Sequence, residues 1–226
     1  MLKPMALRLA TAGLIGLAGV SAASALERVR GTIDKADASS LTVKTETGTE
    51  TIALTGAKVV SVVPSSLDQI KDGTFIGTAT KGENPMTALE VVLFPESMRG
   101  TGEGHYGWDA ITDHTASGSK VKSAMTNGTV KAETSGGPKV KSAMTNGTVK
   151  ADKPAAGGER TLTVGYGKDG TKQIVVPASA PIVAFEPADN SALKPGAKVF
   201  VVVDKDGGKV DGKLVAVGKD GLTPPM

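Results

Sequence analysis

Both histidines of this chain, His105 and His114, lie in one stretch, FPESMRGTGEGHYGWDAITDH, from Phe94 to His114. The only tryptophan, Trp108, and one of two tyrosines, Tyr106, are there too, with Glu96, Glu103, Asp109 and Asp113 among them. Imidazole and carboxylate together suit zinc, copper or nickel. His105, Asp109, Asp113 and His114 therefore compose a candidate mononuclear metal site for Zn or Cu, although the spacing H-x3-D-x3-D-H follows no established ligand motif. A second reading is that Tyr106 and Trp108 plug an open barrel end while the glycines turn the loop. Tyr106, Trp108, Glu103 and Arg99 also form a candidate surface for a ligand or partner, since loops carry function more often than cores do.

Other chemistries fail on local grounds. Gly102-x-Gly104-x-x-Gly107 spells a dinucleotide fingerprint, but its sequence setting opens no helix to receive a pyrophosphate. Asp204 to Asp211 begins like a calcium loop, yet Gly208 stands at a ligand position and Lys209 where the turn glycine is required. No serine has the setting of a nucleophile elbow, and no acid pair stands out from solvated surface charge. The chain has no cysteine, which excludes a disulfide framework, a lipid-modified cysteine and thiolate metal ligands. The expectation is a protein without enzymatic activity and without a resident cofactor.

The N-terminus reads MLKPMALRLATAGLIGLAGVSAASALE. A positive start at Lys3 and Arg8, an apolar run from Leu9 to Val20, and a small-x-small site at Ala23-Ser24-Ala25 make an export signal cleaved after Ala25. The run is shorter than the roughly 20 apolar residues of a membrane span. No later segment is a candidate span, and the expected location is the periplasm. Removing Lys3 and Arg8 from the 26 basic residues brings them almost level with the 23 acidic ones, so no nucleic-acid footprint follows.

Glycine makes up 29 of 226 residues, and the apolar set is rich in Val, Ile, Leu and Ala. β-Branched residues punctuated by glycine predict many short strands and tight turns. Two long segments overlay: Leu41-Thr42-Val43 matches Leu162-Thr163-Val164, Pro64 matches Pro187, Ile70-Lys71 matches Leu193-Lys194, and Gly73 matches Gly196. Such an overlay predicts a duplicated unit. Each copy predicts a strand hairpin, a third strand ending at proline, one turn capped by Ser, Asp or Asn, and a closing hairpin. That order suits a small OB-like Greek-key barrel. The predicted division is a signal peptide at 1–25, one barrel at 26–96, a Gly-rich connector at 97–138, and a second barrel at 139–226. Barrels of this size have marginal cores, so the two should pack on each other.

The letters KVKSAMTNGTVKA occur twice, at 120–132 and 139–151. Their Asn-Gly-Thr-Val aligns with Arg30-Gly31-Thr32-Ile33, the first strand of the first unit. One copy must be the first strand of the second unit. The copy at 139–151 lies nearer Leu162 and is assigned that place, leaving 120–132 as a spare, loose or paired at an edge.

In FPESMRGTGEGHYGWD, MTNGTV and VGKDGLTPPM the chain resembles a group of exported bacterial proteins of unknown function with tandem OB-type barrels. Some of these carry a label tied to metal transport, even as a permease, which sits poorly with a chain lacking a span beyond its leader. The resemblance implies compartment and fold and transfers no catalytic residue. The expected function is a periplasmic binding or scaffolding protein, its partner a small ligand or an envelope protein. The alternative is metal handling through the loop from His105 to His114.

Overall fold

The computed structural model describes residues 26–116, 118–132 and 158–225, so the expected leader and the copy at 139–151 lie outside the described residues. The architecture is all-β. The first half supplies β1 (Glu27–Ala36), β2 (Ser40–Lys44), β3 (Thr49–Ala53), β4 (Lys58–Pro64), β5 (Phe75–Lys81) and β6 (Met86–Leu93). A linking strand, β7 (Gly104–Thr112), follows. The second half supplies β8 (Lys120–Lys131), β9 (Arg160–Tyr166), β10 (Gly170–Val176), β11 (Ile182–Pro187), β12 (Lys198–Asp206) and β13 (Lys209–Gly218). Period-two burial explains why these are strands: Leu41 and Val43 of β2 point inward, as do Leu162 and Val164 of β9, with partly exposed threonine between.

The two halves repeat the same ladders, but they exchange strands. β1 pairs with β2 and with β12, and β8 pairs with β9 and with β5. β13 runs parallel to β3 and β4, and β6 runs parallel to β10 and β11. β4 and β11 pair antiparallel, with Val62 opposite Phe185. Thus β1, β2, β3, β12 and β13 close one five-stranded ring, and β8, β9, β10, β5 and β6 close another. Among the described residues, neither half closes a ring by itself. The tandem division is corrected to an exchange in which three strands of one half join two of the other. Sequence repetition fixes which strands are equivalent and is silent on which copy a strand pairs with, because the ladders of both arrangements are locally alike.

Each ring has its own core. Ile33, Leu41, Val43, Ile52, Val201 and Val215 gather in the first, and Ile76, Val91, Val130, Leu162, Val164 and Ile174 in the second. A third cluster, with Val60, Val62, Val92, Phe185, Phe200 and Ala216, draws on both halves. The expected packing of one half on the other is therefore reached by a shared sheet as well as by contact. Of the expected capped turns, Asp189 accepts a hydrogen bond from the Ser191 backbone N–H at 2.8 Å, whereas Ser66 makes no side-chain cap.

Two glycines locate the duplicated strand. A Cβ at Gly31 would run into the carbonyl oxygen of Lys44, and a Cβ at Gly128 would run into that of Gly165. Lys44 and Gly165 are themselves the partners of Thr32 and Thr129 in the two ladders. Only glycine permits so close a crossing. The strand that fills this slot is β8, the copy at 120–132, which corrects its assignment as a spare. It runs straight through Asn127-Gly128 without a hairpin and is held between β5 and two further strands, β7 and β9. Proximity to Leu162 misled because a long connection between β8 and β9 is tolerated: loop closure costs only about 0.6 kcal/mol per doubling of length.

Candidate functional site

The residues from Gly104 to Thr112 form a strand rather than a glycine-turned loop. β7 is the antiparallel partner of the N-terminal half of β8, with Tyr106 opposite Met125 and Trp108 opposite Ser123. The turn before it uses glycine for conformation: Gly102 has φ +59°, close to Asn127. Asn127 Nδ2 donates to the Gly102 carbonyl at 3.0 Å and to the Tyr106 hydroxyl at 3.2 Å, while that hydroxyl donates to Gly102 at 3.1 Å. A side chain from the repeated motif thus pins the turn that aims Tyr106 and Trp108.

Trp108 lies on the third core cluster with its ring centroid 6.5 Å from that of Phe200. The Arg28 guanidinium sits over the indole, 4.1 Å from its centre. Asp109, the next residue, accepts from Arg28 Nε at 3.1 Å and from Arg30 Nη1 at 2.8 Å. β7 is therefore fastened to β1 by a carboxylate between two arginines. Beneath it is a cavity of about 510 Å³, lined by Phe94, Met98, Tyr106, Trp108, Phe185 and Phe200 among others. Five of the seven aromatic residues of the chain line it. Arg28, Lys58, Lys213 and Glu103 complete the lining as its charged groups.

Trp108 and Asn127, which both line the cavity, each bury a polar atom without a hydrogen-bond partner, Nε1 and Oδ1. Leaving such a group unmet costs about 1–3 kcal/mol. Burial pushes the Tyr106 hydroxyl above its ordinary value, and the nearby Arg28 opposes that only in part, so the phenol is neutral near pH 7. Glu103 accepts from the Gly167 backbone N–H at 2.9 Å, which ties the cavity mouth to the β9–β10 turn.

Three of the four proposed metal ligands are engaged elsewhere. Asp109 belongs to the two arginines. Asp113, 3% exposed, is bonded to Lys81 and to Thr115, whose hydrogen bonds hold its carboxyl below the ordinary value. His105 Nδ1 lies 2.9 Å from Thr126 Oγ1; burial, with Lys172 adding to it, lowers its pKa and keeps the ring neutral near pH 7. His114 is exposed. Among the described residues no three His, Cys, Asp or Glu come together to hold a metal. The spacing placed these residues near one another in the chain, but the carboxylates that a metal would need already neutralise Arg and Lys.

Of the predicted ligand surface, Tyr106, Trp108 and Glu103 line the cavity and Arg99 does not. Arg99 instead pairs with Glu96 at 2.6 Å and donates to the Gly73 carbonyl at 2.9 Å, a brace for the turn after β6. Trp108 packs against the third cluster, to which both halves contribute, and against a small cluster of Ala79, Leu89, Ile111 and Met125. Sequence reasoning missed Arg28, Lys58, Phe94, Phe185, Phe200 and Lys213, which converge from distant strands. One usable signal existed: in a chain with 3% aromatic residues, each phenylalanine was a candidate.

Among the described residues no helix is long and apolar enough to cross a membrane. Comparison with family models, curated proteins and solved structures finds no match for this chain.

Proposed function

We propose that this is an exported, non-enzymatic binding protein whose small-molecule ligand occupies the cavity under Trp108, on a scaffold of two intertwined OB-like barrels. The observation that carries the reading is the cavity itself: about 510 Å³, walled by aromatic and aliphatic side chains. Sites for small molecules are concave, mostly apolar and of this size, with a few polar groups for orientation. The lining residues include one carboxylate, Glu103, and no histidine, serine or cysteine, a set suited to holding a molecule rather than transforming it. The leader-like N-terminus supports the export part of the reading. A scaffolding role rests on the same two-ring frame, and an envelope protein that delivers or collects the ligand would be its partner.

The single tryptophan makes the test direct. A neutral apolar fluorophore, N-phenyl-1-naphthylamine, should bind saturably and one-to-one, with energy transfer from Trp108. Val202→Trp, placed in the cavity lining, should fill the space and abolish the transfer from residue 108 while the far-ultraviolet dichroism stays that of the wild type. Saturation that survives in a folded Val202→Trp variant would mean the probe sits elsewhere.

A further inference from the structure

We infer that the ligand is an anionic amphiphile: a hydrocarbon chain or ring system carrying one carboxylate or phosphate head, its body against Trp108 and its head at Lys58 and Lys213. This rests on the cavity reading above and adds the chemical class. Three cations line the cavity, Arg28, Lys58 and Lys213, against the single carboxylate of Glu103. The three cations are not equivalent. Arg28 is already committed to Asp109 and to the indole face. Lys213 holds Asp204 only loosely, at 3.3 Å, with its side chain 49% exposed. Lys58 has no ion-pair partner among the described residues, and it lies in register with Leu214, the neighbour of Lys213, on adjacent parallel strands.

Lys58, on the strand beside that of Lys213 at the edge of an apolar cavity, is a positive charge with no carboxylate partner among the described residues. A cationic ligand would be repelled by it, and a neutral one would leave Lys58 as it is. An anion satisfies Lys58, competes with Asp204 for Lys213, and leaves the hydrocarbon to the walls. Phe94, Met98, Phe185 and Phe200 offer that body no polar group, so each methylene it buries should tighten binding roughly fourfold.

Displacement of N-phenyl-1-naphthylamine by twelve-carbon competitors tests the class. Dodecanoate, dodecyl phosphate or both should displace the probe about tenfold more tightly than dodecanol, the worth of one charge-assisted hydrogen bond. The advantage should shrink at high salt, because the lysines are exposed. The arm that wins separates a free acid from a phosphate-headed source. Lys58→Gln combined with Lys213→Gln should abolish the advantage of the anions over dodecanol, read as the ratio of their displacement constants within the variant, so that any change in probe affinity cancels. Equal binding of anions and dodecanol to the wild type would overturn the anionic class and leave the cavity reading standing. An anion preference that persists in the double variant would overturn the placement of the head. Failure of every competitor and of the probe would overturn both.

Discussion

The two five-stranded rings answer the same problem with equivalent residues, and they part company at one place. Gly31 and Gly128 make the same close crossing, and Ile33 and Val130 follow them into the two cores. Even the small backbone bonds repeat: Ile33 accepts from Gly196 N–H at 2.8 Å as Val130 accepts from Gly73 N–H at 2.8 Å. One step further along each ladder the equivalence stops. Arg30 stands opposite Phe200 in the first ring, where the second has Asn127 opposite Gly77. The second ring also carries β7 on its leading strand, and the first ring has no such added strand among the described residues. The cavity lies where these differences meet. Duplication supplied a rigid frame, and departure from the duplicate supplied the site.

The strongest test of the equivalence is at the two crossings. Gly31→Ala should destabilise the protein by about 3 kcal/mol, the upper part of the range for forcing atoms into a filled space. Gly128→Ala, made in a chain lacking 133–151 so that one copy of the motif remains, should cost the same within about 1 kcal/mol. Denaturant midpoints of the two variants decide it, and a large inequality would break the pairing of the rings.

A middle-sized effect separates them electrostatically. The second ring buries Asp113 against Lys81, whereas the first keeps the partly exposed pair Asp204 and Lys213 at 3.3 Å. Asp113 is held below the ordinary carboxylate value of 3.8 first by its hydrogen bond to Lys81 and then by that to Thr115. The folded chain therefore binds this proton less readily than the unfolded chain does. The stability it contributes is whole above the ordinary value and drains as pH falls below it towards the folded value. Asp113→Asn should lower stability by about 1–2 kcal/mol at neutral pH, less than for a fully buried pair because Lys81 reaches solvent. Melting curves from pH 7 down to pH 3 should show the variant and the wild type converging at the acid end.

The smallest effect should be none. Excising 133–151 removes the copy of the motif that follows β8 and joins Ala132 to Asp152. With β8 left in its slot, stability should change by no more than about 0.5 kcal/mol, as for substitutions away from any packed feature. A loss of several kcal/mol would show that 120–132 is not the copy the ring depends on.

Leu41-Thr42-Val43 and Leu162-Thr163-Val164 announced their strands because an alternating side-chain pattern is a local property of the backbone. The repeats announced two equivalent units for the same reason, and the crowding of Tyr106 and Trp108 pointed at one wall of the cavity. The partner of each strand is another matter. Val199 has Val217 of its own half on one side, and on the other it meets Gly31, more than a hundred positions away in the chain. Nothing in the letters distinguishes a ladder to one's own copy from a ladder to the other. Likewise Lys58, Phe200 and Lys213 are ordinary strand residues until the fold brings them under Trp108. The chain by itself determined strands, turns and repetition, which depend on neighbours in sequence. The exchange of strands, the choice of β8 and the cavity were decided only in three dimensions, because burial and charge act between residues that meet nowhere else.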